Sequence, residues 1–283
     1  MLAALVAAGA LACRKKAPPP PPAPPPSRPA DVIVEAIVPD PSSAWTKGRQ
    51  LLGLIALPLP RSAFGLAAEF LATPPELETS LEPGKPLVAI GCGDRCFAGA
   101  WGLDDPARLP TFAKDRFALA THDGAQWLGA PIGGTTALRV PVGFVDRFLV
   151  VGEPATVGGH SDYLLRGLAR RTSSADVHLE VRRPRHANVV AALDRLAALA
   201  DAKPYPDAPS AFATTTRALA DLEKGLRAWS TADRPIEVEL SVASDTLTIV
   251  ARPLDPAGGA VTAAVPGEVL RGWIQARVKL ALP

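Results

Sequence analysis

Residues 30–35 read Ala-Asp-Val-Ile-Val-Glu, and residues 175–180 read Ala-Asp-Val-His-Leu-Glu, the same strand pattern 145 residues further on. Both alternate with period 2, and each is followed by a proline and then a helical pattern: SSAWTKGRQLLGLI from Ser42 and HANVVAALDRLAALA from His186. A second helical segment follows in each copy, near 62–72 and near 210–229. Lys85-Pro86-Leu87-Val88 and Arg234-Pro235-Ile236-Glu237 then open strands that turn back on themselves, at 96–103 and at 246–252. Both copies reach Asp-Pro, at Asp105-Pro106 and Asp255-Pro256. Self-similarity at a fixed spacing is the mark of a repeated structural unit. Strand runs paired with one-sided helices predict an α+β fold: two duplicated β-α-α-β-β units whose antiparallel sheets are covered by helices.

The first unit is expected over 31–154. After its Asp-Pro come a short helix near 106–114 and strand-like segments at 116–121, 126–130, 137–142 and 145–151, punctuated by DGA and GG turn residues. A linking helix near 155–170 opens the second unit, 155–283. That unit is the shorter one, ending in a strand-like 260–265 and an amphipathic segment, so it reads as degenerate or truncated.

At 283 residues, 48% of them hydrophobic, the chain has room for a real core. A net charge of +2 and a densest basic cluster of only Arg182, Arg183 and Arg185 supply no stripe for nucleic acid, which is not expected as a partner. Beyond the N-terminus no apolar run approaches the roughly 20 residues of a spanning helix.

Residues 2–12, LAALVAAGALA, are too short to span a bilayer but suit the apolar region of a signal peptide. They end in Ala10-Leu11-Ala12, with Cys13 next. Here the sequence resembles bacterial lipoproteins, whose signal closes on a small residue before a cysteine that receives lipid. Ala10 stands where that family favours Leu, and no Lys or Arg precedes the apolar run. The resemblance implies a signal peptide over 1–12, lipid attachment at Cys13, and a membrane partner engaged through that lipid. An ordinary exported protein cleaved after Ala12, or an uncleaved apolar tail, are the other readings.

Residues 13–30 carry nine prolines between Pro18 and Pro29. Proline fixes φ and lacks the amide donor, so this stretch is expected as a disordered, polyproline-II tether. At about 3.1 Å per residue it would stand the body roughly 40 Å off the membrane. The order of elements in the body resembles, at pattern level, bacterial envelope proteins built from recurring strand–helix–hairpin units. It implies the cell envelope, exported to the periplasmic face or the outer membrane, and no particular activity.

One strand could carry chemistry. Period-2 geometry puts Asp176, His178, Glu180 and Arg182 on one face. Two acids and an imidazole could bind a metal or run acid–base chemistry. The first copy keeps the acids at Asp31 and Glu35 but has Ile33 between them, so an architectural role is the expectation. His122 precedes the Asp123-Gly124 turn signal. His160-Ser161-Asp162 gathers triad residue types without triad geometry and reads as a helix N-cap at Ser161-Asp162. No G-x-S-x-G, H-E-x-x-H or phosphate-loop motif occurs. No catalytic residue, metal or cofactor is assigned.

Residues 91–96, GCGDRC, remain. If Cys13 lies outside the cytoplasm, Cys92 and Cys96 are an even pair in an oxidising space. Their flanks are strand-like and Gly93-Asp94-Arg95 suits a three-residue hairpin loop, so the two face each other and a structural disulfide is expected. Reduced thiols, and redox or metal chemistry, are the alternatives. The chain therefore reads as a non-catalytic exported lipoprotein that binds or scaffolds, with an envelope protein as partner. A carrier of lipid or another apolar ligand, and a hydrolase using the Asp176/His178/Glu180 face, are the alternative functions.

Overall fold

The computed structural model describes residues 24–53, 60–65, 85–93, 96–105, 117–132, 140–255 and 259–281. The signal segment, Cys13, most of the tether, the helix expected near 106–114 and most of that near 62–72 lie outside them.

Strand β1 (Val34–Val38) is followed by helix α1 (Pro41–Leu52). Asp40 caps α1 by accepting the Ser43 amide at 2.9 Å, and Pro41 pre-sets the first turn. Strands β2 (Leu87–Cys92) and β3 (Cys96–Gly102) form a hairpin, followed by β4 (Phe117–His122), β5 (Ala125–Pro131), β6 (Val142–Val145) and β7 (Phe148–Gly152). Asp123 and Gly124 both adopt positive φ in a two-residue turn between β4 and β5.

Helix α2 (Pro154–Asp162) continues into a π turn, Tyr163–Gly167, and a tight last turn, Leu168–Arg170. The expected N-cap at Ser161-Asp162 is not there. The helix begins at Pro154, whose ring suits a first turn, and Ser161 bonds back to the Gly158 carbonyl. Then come β8 (Val177–Val181), α3 (Ala187–Ala200), α4 (Phe212–Thr231), β9 (Ile236–Ala243), β10 (Thr246–Pro253), β11 (Val261–Pro266) and α5 (Gly267–Ala281).

The described strands form one antiparallel sheet of eleven, in the order β11-β10-β9-β8-β1-β2-β3-β7-β6-β5-β4. The fold is therefore α+β with a large antiparallel sheet. β1 and β8 lie side by side in its middle, and from them β1-β2-β3 and β8-β9-β10 run outward in opposite directions.

Residues paired across strands share a face. On one face the register aligns Glu35, Ile90 and Ala98, and beside them Ile37, Val88, Ala100 and Val150. Helix α2 and its π turn cover this half with Val157, Tyr163, Leu164, Leu165 and Leu168. The reverse face of the same half holds Trp101, Leu149 and Val142 against Phe64.

Beyond β8 the cover changes sides. Helices α3, α4 and α5 pack Leu193, Leu219, Leu222, Leu226, Val269 and Trp273 against Ile236, Ala251, Ala263 and Val265, on the face opposite to that of α2. The α2 face therefore continues past the seam as a polar surface.

Candidate functional site

On the α2 face, the row through Glu35 continues to Glu180, Glu237 and Arg252, and the row through Ile37 continues to His178, Glu239 and Val250. Three carboxylates on neighbouring strands thus stand side by side in the middle of a sheet. Like charges directly opposite each other repel, so such a row persists only with cations placed among it.

Those cations come from three separate segments. Arg28, at the end of the proline tract, gives Nη2 to Glu35 Oε2 at 2.9 Å and to Glu180 Oε2 at 2.7 Å, and its Nε also reaches Glu35. Arg171, just past α2, gives Nη1 to Glu35 at 3.0 Å and to Glu180 at 3.3 Å. Arg182, at the end of β8, pairs with Glu180. Tyr163, aimed inward by the π turn, donates its hydroxyl to Glu35 Oε1 at 2.7 Å and accepts from Arg171 at 2.8 Å. The side chain of Glu35 is 1% exposed and that of Glu180 12%.

The electrostatics follow. The neighbouring His178 imidazole outweighs burial, and with Arg182 and Arg171 it holds the Glu180 carboxyl down to about 2. Burial, then the bond to Glu35, pushes the Tyr163 phenol up to about 12. Burial alone would lower Arg28, but Glu35 overrides it and raises the guanidinium above its ordinary range. Glu180, an ionised carboxylate engaged by three guanidiniums, is not a proton donor near neutral pH.

His178 sits beside this cluster. Its Nε2 is 3.6 Å from Glu180 Oε1, and its Nδ1 is 3.5 Å from Glu237 Oε1 and 3.8 Å from Glu239 Oε1. Nδ1 is buried and without a hydrogen-bond partner. The nearby Glu180 carboxylate raises the imidazole pKa against burial, and the charges of Glu237 and Glu239 add to it. Arg252 holds the other oxygen of Glu237 and lies 3.5 Å from Glu239.

Of the strand face read from the sequence, His178 and Glu180 come together and Asp176 does not join them. Asp176 takes Lys47 of α1 at 2.6 Å and the Val242 amide at 2.7 Å, tying α1 to the edge of β9. His160 is on α2, with Nδ1 2.8 Å from the Thr156 carbonyl and Nε2 3.1 Å from Asp31. His122 is exposed beside Asp123. Cys92 and Cys96 stand opposite each other across the β2–β3 hairpin, Cα atoms 4.7 Å apart and at disulfide distance. Sequence reasoning missed Arg28, Tyr163, Arg171, Glu237 and Glu239. The alternation Ile236-Glu237-Val238-Glu239-Leu240 was the available signal for the last two.

A scan of protein-family models and a search of curated proteins give no match. A search of solved structures finds a weak likeness to one described as "Structure of crystal form I of TP0453", at 7% identity and a TM-score of 0.41, covering 87% of this chain and 93% of that one.

Proposed function

We propose that the chain is an exported lipoprotein of the bacterial cell envelope, anchored through lipid on Cys13 and acting as a non-catalytic platform that binds or scaffolds an envelope protein. One observation carries this reading best: Arg28, the last cation of the proline tract, is bonded to Glu35, Glu180 and Tyr163 at the centre of the sheet. A tether fastened there would deliver any pull from the membrane to the middle of the molecule. Glu180, saturated by guanidiniums, favours structure over acid–base work, and Asp176 is engaged elsewhere. The cleft of about 790 Å³ beside Tyr205 is lined by Lys203, Asp207, Glu268 and Arg271 as well as prolines.

The two halves are also proposed to descend from one duplicated unit. Glu35 and Glu180, equivalent at the 145-residue spacing, are direct cross-strand partners, so a local two-fold axis would pass between them. The anchor is tested by intact-mass measurement of the chain from a membrane fraction. The expected result is an acylated Cys13 as the first residue, and release of Cys13→Ser into the soluble fraction. An unmodified Cys13 in a membrane-free chain overturns the proposal.

A further inference from the structure

We infer that His178, Glu237 and Glu239 form a binding site for a divalent transition-metal ion of the zinc type, built on the α2 face of β8 and β9. The three ligand atoms all lie within 4.8 Å of one another. Two donors bonded to one tetrahedral ion at about 2.1 Å stand about 3.4 Å apart. The separations of His178 Nδ1 from the two carboxylate oxygens, 3.5 and 3.8 Å, match that spacing and exceed a normal N–H···O bond. Nδ1 is a buried ring nitrogen with no hydrogen bond, aimed at two carboxylates.

The surroundings are those a ligating imidazole needs. A metal-bound histidine characteristically gives its other ring nitrogen to a carboxylate, which fixes the tautomer and the ring plane. Here Glu180 stands 3.6 Å from Nε2, itself fixed by Arg28, Arg171 and Arg182. Arg252 holds Glu237 by Oε2, leaving Oε1 toward the ring. Two carboxylates and one imidazole also match the borderline character of zinc better than calcium or magnesium, which prefer all-oxygen sets. The side chains of His178, Glu237 and Glu239 are 12, 14 and 22% exposed, so the site is recessed with an opening toward solvent.

The rival occupant of the same spot is a proton on Nδ1, and the two compete. The test is calorimetric titration of the full chain with Zn²⁺ in chelator-washed buffer, with Co²⁺ absorption as a second readout. Cys92 and Cys96 are kept oxidised, because with Asp31 they form another group of ligand atoms within 4.8 Å. The expected result is one ion per chain with tetrahedral cobalt bands. His178→Gln and Glu239→Gln are expected to weaken binding at least about 10-fold, and His122→Gln to leave it unchanged. Circular dichroism confirms that each variant folds. Should His178→Gln not fold, Glu239→Gln decides, since Glu239 is the most exposed of the three ligands. No binding by the folded wild-type chain, or binding that survives the decisive variant, overturns the inference. Neither outcome touches the lipid anchor at Cys13.

Discussion

Glu35 of β1 and Glu180 of β8 face each other directly across the central strand pair, and Arg28 and Arg171 each bridge both carboxylates. The seam of the sheet is thus a charged joint whose cations come from the tether and from the end of α2. Breaking a buried pair from one side strands the other charge. Glu35→Ala is therefore expected to cost about 3 kcal/mol or more. Arg28→Ala should cost less, because Arg171 still reaches both acids. Denaturant melts of the two variants check the order.

The pH dependence of stability has a sign at each end. Glu180 is depressed from 4.5 to about 2 in the folded chain, so its contribution is complete above pH 4.5 and fades as pH falls from there toward 2. His178 is raised from 6.5, so its contribution is complete below that value and is lost as pH rises through the higher folded value. Denaturation midpoints measured against pH in chelator should fall on both flanks. Glu180→Gln should flatten the acid flank and His178→Gln the other.

Tyr163→Phe removes a hydroxyl that donates to Glu35 and accepts from Arg171. With those buried partners left short, the expected loss is about 1–3 kcal/mol. Ultraviolet titration of the wild-type chain should show a phenol ionising near 12, and that step should vanish in the variant.

Gly152 adopts φ +128, and an added Cβ would stand 2.3 Å from the Phe97 carbonyl oxygen. Gly152→Ala is expected to destabilise by more than about 2 kcal/mol, through a backbone conformation closed to alanine and a clash that cannot relax. Gly159, inside α2, has nothing within 4 Å of such an atom, and Gly159→Ala should stabilise by about 0.5–1 kcal/mol. Thermal melts distinguish the two.

Joining Cys92 to Cys96 closes a very small ring. Removing that bond with paired serines should cost at most about 2 kcal/mol on the chain-entropy account and leave the sheet intact. Hydrogen exchange at the β2–β3 hairpin should rise, and intact mass should show the wild-type body two hydrogens lighter than its reduced form.

Much of the architecture was legible along the chain. The period-2 runs at 34–38 and 177–181, the helical runs from Ser42 and His186, and the Asp123-Gly124 turn are local signals, because alternation, capping and turn chemistry act within a few residues. The linking helix expected near 155–170 runs from Pro154 to Arg170, and only the cap reading of Ser161-Asp162 fails, because Pro154 sets the helix start before that pair. The polar face of β8 was seen, but its partners were not, since Arg28 and Glu239 reach it from distant stretches of chain and Arg171 folds back from nine residues before Glu180.

Among the described residues, the sequence by itself determined most of the strands and helices and which side chains alternate onto each face, for those follow from neighbours a few bonds away. Only the tertiary structure decided that β1 and β8 pair, so that Glu35 meets Glu180 and His178 meets Glu239. Strand pairing between distant segments depends on burial, register and the closing of long loops, and no local pattern encodes those.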